Sequence, residues 1–147
     1  DLEQGHTTSD LQVVLVILYI GILGVVCSLV DIYKDDYQSW TRGKDMKVAR
    51  RNFAAVKLHS RIYCFGGIGL NNTRLSSGEF MNIVDGVWTM LTNNIPLQLG
   101  VASACCVGDH IVMYGRWGIM LLDSEHEVYA YIVCVWCIRR HPCYNST

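Results

Sequence analysis

The run Arg61-Ile-Tyr-Cys-Phe-Gly-Gly67 is followed by Ser76-Ser-Gly-Glu-Phe80 and then by Trp88. Arg61 to Phe65 has the apolar character of a strand, and a glycine pair halts it. Two adjacent glycines at a strand end let the chain take positive φ or pass close to another backbone. The polar stretch 68–75 reads as an exposed loop, and residues 76–83 and 87–91 read as two further strands around the turn signal Asp85-Gly86. Upstream, residues 53–58 form one more strand, joined to Arg61 by the turn His59-Ser60. The near-continuous hydrophobicity of these inner strands is that of a sheet covered on both faces.

This four-stranded unit recurs. Trp40, Trp88 and Trp136 are spaced 48 residues apart, and a repeat near 50 residues is the period of propeller blades. Other landmarks keep the phase: Tyr19-Ile-Gly21, Tyr63-Cys-Phe-Gly-Gly67 and Met113-Tyr-Gly115 each precede their Trp by about twenty residues. The strand position before each Trp is filled by Tyr33, Phe80 and Val128. The spacing predicts an all-β chain of about three four-stranded blades, at 11–46, 47–95 and 96–140, between a disordered N-terminal stretch 1–10 and a tail 141–147. In the third blade, residues 101–107 and 110–114 are the inner strands and 127–132 and 135–138 the outer ones. The stretch 119–122 is expected to be an apolar loop.

Propellers close with about four to eight blades, so three make an incomplete ring. The sequence starts in mid-pattern without Met, which reads as a segment of something longer or a partner in an assembly. Pairing two copies would give six blades, so a homo-oligomer completing the propeller is one expectation. Of the 147 residues, 51% are apolar and 17% charged, a composition for buried sheets. The net charge of −1 supplies no basic stripe, which argues against nucleic acid as a ligand. Seven cysteines, an odd number with several inside apolar strand patterns, fit a reducing cytoplasmic compartment. The sequons Asn71-Asn72-Thr73 and Asn145-Ser146-Thr147 point the other way.

Residues 11–30 form a rival reading. They run for 20 residues without a charge, enough for a membrane span. Against a span stand Gly21 and Gly24, the density of β-branched residues and flanks without a Lys/Arg cluster. Two strands of the first blade are therefore expected there, with a single-pass membrane protein carrying two blades as the alternative.

The residues resemble the kelch repeat family, and more closely the kelch half of the BTB-kelch ubiquitin ligase adaptors. The resemblance rests on Tyr63, Gly66-Gly67, Ser77, Glu79, Phe80 and Trp88, and on Trp40, Met46 and Arg50 in the linker. It covers residues 13–138 and is most specific in the middle blade; the outer two are degenerate, with Gly21-Ile22 and Gly115-Arg116 in place of the glycine pair. It implies a kelch propeller segment that is not an enzyme, has no cofactor and recognises a substrate protein or peptide for a cullin-type ubiquitin ligase. The link to the ligase would run through a BTB domain absent from this chain. A degenerate structural fragment without a binding face is the further alternative.

Carried over by position, the binding loops give Arg51, Asn52, Asn71, Asn72, Arg74, Asn94, Arg116 and Trp117, with Lys47, Asn93 and Gln98 beside them. Arginine suits such a role because its guanidinium grips a carboxylate at two points. For Arg51 and Arg74 the ordinary reading is a solvated loop charge; for Arg50 it is a structural hydrogen bond between blades. Cys134, Cys137, His141 and Cys143 offer four zinc-type ligands, but residues three apart on a strand face opposite sides, so no metal site is expected. Glu125-His126-Glu127 and Asp109-His110 lack an accompanying nucleophile, so catalysis is not expected either.

Overall fold

A computed structural model describes residues 25–34, 38–95, 101–115, 118–123 and 128–133. Apart from one 3-10 turn at Leu70–Asn72, all its regular structure is β. Strands β1 (Asp31–Lys34) and β2 (Ser39–Arg42) form a two-stranded sheet. Strands β3 (Ala54–Leu58), β4 (Arg61–Phe65), β5 (Gly78–Asn82) and β6 (Trp88–Met90) form a four-stranded sheet in chain order. A second four-stranded sheet consists of β7 (Val101–Val107), β8 (His110–Gly115), β9 (Gly118–Leu122) and β10 (Val128–Val133), again in order. All pairings are antiparallel, and the two four-stranded sheets have the strand order of propeller blades.

The turns follow from their residues. His59 takes φ 52° between β3 and β4, while Gly86 and Gly108 take φ 66° and 58° in the hairpins β5–β6 and β7–β8. Asn82 and Asp85 fix the β5–β6 turn by accepting hydrogen bonds from the Val84 and Val87 amides, 3.0 and 2.8 Å away. Short Asx side chains satisfy turn backbone in this way.

Strand β4 is buried on both faces, and its alternation divides the core in two. Tyr63 and Phe65 join Ala54 and Leu58 in one cluster with Ile111, Met113, Met120 and Leu122 of the next blade. Ile62 and Cys64 join Met81 and Trp88 in the other, against Val30 and Met46 of the preceding segment. Trp88 also donates its indole N–H to the Lys44 carbonyl, 2.9 Å away.

A buried ion pair sits at this second seam. Arg50 Nη2 and Glu79 Oε1 lie 2.9 Å apart with both side chains fully shielded from solvent. The Arg50 guanidinium also donates to the carbonyls of Gly66, at 2.7 Å, and Ser77, at 3.0 Å. The Glu79 carboxylate accepts from the amides of Lys47 and Val48, at 2.7 and 3.3 Å. With the Arg50 amide donating to Cys27 O at 3.0 Å, the linker 46–50 is fastened to both blades. Arg50 therefore has the structural role.

Burial pushes the neighbouring Cys64 thiol up to about 12, against the pull of Arg50 and with a smaller push from Glu79. The native thiol holds its proton where the unfolded one, near 9.0, has released it. Its contribution to stability is thus complete below about pH 9 and is lost as pH rises towards 12. At pH 8, alkylation is expected to modify exposed Cys105 and leave Cys64 unlabelled until the chain unfolds. Equal labelling rates at the two would contradict the burial of β4.

The third sheet corrects three expectations. Residues 119–122 are not a loop: they belong to β9, which pairs with β8 from Gly115↔Gly118 to Ile111↔Leu122. Val128 pairs with Leu122 in the outermost strand, the position Trp88 holds opposite Met81, so it is no counterpart of Phe80. Trp136 and the expected strand 135–138 lie outside the described residues, and the strand expected third, at 127–132, is instead the fourth of this sheet, as β10. In the first sheet Ile32, opposite Thr41, matches Phe80 opposite Thr89; Tyr33, opposite Trp40, matches Met81.

No helix among the described residues is long and apolar enough to cross a membrane. Of the rival span, residues 11–24 lie outside the described residues, and 25–30 are non-helical.

Candidate functional site

Between β4 and β5 the chain runs through residues 66–77, and the backbone orders this loop. The Gly66 amide donates to Ser77 O, Leu75 to Gly67 O and Gly69 to Thr73 O, at 3.0, 3.0 and 2.8 Å. Arg51 and Ile68 exchange amide and carbonyl at 2.9 and 2.8 Å, tying the loop to the strand entering β3. Gly67 has φ +89°, and a Cβ there would lie 2.6 Å from Arg51 O and 2.9 Å from Phe53 Cβ. The glycine pair therefore has a steric reason: only a residue without a side chain lets the loop lie on residues 51–53.

The loop presents the side chains that the resemblance singles out. Asn71 and Asn72 are exposed with φ 55° and 60°, and Asn52 is exposed with φ 51°, a conformation asparagine tolerates better than most residues. Arg51 Nη2 donates to Asn72 Oδ1 at 2.8 Å, which holds the guanidinium at the loop. Arg74 is exposed and faces Ile68 in an isolated bridge. Asn94 is exposed in the segment after β6, where the Ile95 amide donates to Ser76 O at 2.7 Å. Arg51, Asn52, Asn71, Asn72, Arg74 and Asn94 thus gather at one end of the middle blade. Arg116 and Trp117, on the corresponding connection of the next blade, lie outside the described residues, as does Gln98.

The end is cationic in character. Residues 66–77 contain no Asp or Glu, and among the described residues no carboxylate lies within ion-pair distance of Arg51 or Arg74. Glu79, close in sequence, is consumed by Arg50 in the core. Leu70 at the loop tip is 68% exposed, an apolar contact point that a reading of the loop as uniformly polar passes over. Its exposure follows from the 3-10 turn, which the sequence does not announce. An exposed leucine flanked by amides and guanidinium groups offers apolar and polar contacts side by side.

Among the described residues no three His, Cys, Asp or Glu side chains converge as a metal site would require. The sets Cys134, Cys137, His141, Cys143 and Glu125-His126-Glu127 lie outside them. Asp109 pairs instead with His59, 3.2 Å away, across the exposed turns of adjacent blades.

Residues 49–94, which contain all four strands of the middle blade and its 66–77 loop, match the Kelch motif family. The chain is also 31% identical, over 104 residues, to an F-box/kelch-repeat protein of Arabidopsis thaliana. That similarity covers 69% of this chain and 28% of the relative, so the chain spans little more than a quarter of that protein's length. Both similarities, with the four-stranded antiparallel blades, support placing the chain with the kelch-repeat proteins. Neither points to BTB-kelch adaptors in particular.

Proposed function

We propose that this chain is a non-catalytic protein-binding module whose contact surface is the 66–77 loop of the middle blade with the adjoining residues 51–52 and 94. The observation that carries the reading is the Arg51–Asn72 hydrogen bond at 2.8 Å beside exposed Arg74, at an end free of neutralising carboxylates among the described residues. A rigid sheet below and a hydrogen-bonded loop above hold these groups ready, so little ordering entropy opposes binding. Two guanidinium groups select for carboxylates, and the chemistry fits an acidic segment of a partner protein. The test is retention of arrayed acidic, neutral and basic peptides by the chain and by an Arg51→Glu/Arg74→Glu variant. Preference for acidic peptides that vanishes in the variant supports the reading; equal retention by both proteins sinks it.

The module is further proposed to select substrates for a ubiquitin ligase of the cullin type and to work in the cytoplasm. The F-box in the name of the Arabidopsis relative supports an adaptor role, though with a different adaptor domain from the BTB expected. Exposed free Cys105 and Cys106 favour a reducing compartment. Accumulation in cells of the partner captured by the wild-type chain when cullin ligases are inhibited would support the ligase assignment, and an unchanged partner level would remove it.

A further inference from the structure

The 66–77 loop folds into a small antiparallel ladder of its own. The Thr73 amide donates to Leu70 O at 3.2 Å, and the two residues between them have positive φ, Asn71 at 55° and Asn72 at 60°. Positive φ at both central positions is a type I′ turn, whose twist suits a hairpin. Behind the turn Ile68 stands opposite Arg74, and Arg51 opposite Ile68. Residues directly opposite on neighbouring strands share a face, so Arg51 and Arg74 flank Ile68 on one side of the ladder. Arg51 and Ile68 exchange both backbone bonds, whereas the bonds beside Arg74 run from Gly69 N to Thr73 O and from Leu75 N to Gly67 O. In that kind of rung the amide and carbonyl of the outer residue point away from the partner strand. The outward row continues into the blade. Leu75 N and Ser77 O bond inward, while Ser76 O accepts from the Ile95 amide at 2.7 Å and Gly78 O from the Leu91 amide at 2.9 Å. Arg74 is the next place in this row, and among the described residues nothing bonds its amide or its carbonyl. Thr73 and Arg74 are both exposed.

We infer that this edge binds by strand addition: an extended acidic segment of a partner protein pairs with the Arg74 amide and carbonyl and sets its carboxylates beside Arg51 and Arg74. The inference rests on the acidic-partner reading above and adds the conformation and spacing of the segment. An outward amide and carbonyl on one residue are matched by an extended chain, which offers an acceptor and a donor on one residue in return. A helical segment keeps those groups for its own bonds. Charge selects the side chains. The two guanidinium groups share a face of the ladder, Arg51 is held there by its 2.8 Å bond to Asn72 Oδ1, and residues 66–77 bring no carboxylate of their own. In an added strand only every second residue turns to that face, so the carboxylates belong two residues apart. Main-chain bonds then supply affinity, and the alternate side chains supply specificity.

Backbone pairing separates this mode from any other way of holding acidic groups. Fluorescence anisotropy of the 147-residue chain is read with a short labelled peptide carrying Glu-Val-Glu at its centre, and with the same residues rearranged so that the glutamates adjoin. The spaced peptide is expected to bind more tightly by about three- to tenfold. Methylating its backbone nitrogens one at a time should weaken binding about tenfold at the amide that meets Arg74 O and spare the two neighbouring amides, which point away. On the protein side, Arg74→Ala removes the guanidinium and Arg74→Pro removes the edge amide as well. Thr73, at φ −79° and ψ 132°, already has the extended conformation that a following proline favours. The Pro variant should bind about three- to tenfold more weakly than the Ala variant; if circular dichroism shows that it fails to fold, the methyl scan on the wild-type chain decides alone. A scan with no such step, or equal binding by folded Pro and Ala variants, overturns strand addition, and a persisting preference for acidic peptides then leaves the acidic-partner reading standing. A chain that does not prefer acidic to basic peptides overturns both.

Discussion

Replacing Glu79 by Ala is expected to lower stability by about 3–5 kcal/mol, the cost of leaving a buried partner charge uncompensated. The size follows from the surroundings. With the carboxylate gone, the Arg50 guanidinium keeps only the Gly66 and Ser77 oxygens, and the Lys47 and Val48 amides lose their acceptor. Arg50→Ala should cost a similar amount, since the carboxylate is then the buried charge. The double variant Arg50→Met/Glu79→Met should lose far less than the two single losses together, because apolar groups can replace a buried pair with little cost. The protein carries an internal precedent: in the next blade, Met113↔Met120 holds the register place of Cys64↔Glu79 within an apolar seam. Urea unfolding followed by tryptophan fluorescence measures all four chains. A loss below about 1 kcal/mol for Glu79→Ala would mean that the pair behaves as a surface one and is hydrated in solution.

Trp88→Ala is expected to cost about 3–5 kcal/mol, as for other large aromatic side chains removed from cores. Trp88 fills the seam between Met46, Val30 and Met81 and satisfies the Lys44 carbonyl, so the variant loses packing and leaves an acceptor without its donor. Arg74→Ala, on the exposed loop, should stay within about 0.5 kcal/mol of the parent. Thermal unfolding of the two variants gives the comparison, and equal midpoints would contradict the assignment of Trp88 to the seam between blades.

The middle blade was legible from residues 53–91 because each of its signals is local. Alternation marks the strands, His59-Ser60 and Asp85-Gly86 mark the turns, and Gly66-Gly67 marks a backbone approach that the Arg51 carbonyl explains. The third blade was misread for a physical reason. A strand's place in a sheet is set by its hydrogen-bonded register, and chain spacing reports that place only while loops keep their length. Between β4 and β5 the chain takes residues 66–77 to turn; between β8 and β9 only 116 and 117 intervene. Every later landmark is displaced, and Ile119 to Leu122, apolar throughout, gave no sign of whether they turn or pair. For the candidate site, the exposed Asn and Arg side chains were readable as loop residues. The Arg51–Asn72 bond and the fate of Glu79 were not, since both depend on partners more than twenty residues away.

The unequal connections bear on how such a chain can change over generations. The β4–β5 and β8–β9 pairs keep equivalent registers although one connection is many residues longer than the other. Closing a flexible loop costs only about 0.6 kcal/mol more for each doubling of its length. Insertions and deletions at this one point of a blade therefore leave the sheet almost untouched while replacing the groups presented above it. Specificity can drift by loop exchange, whereas the Arg50 and Trp88 seam tolerates no comparable variation.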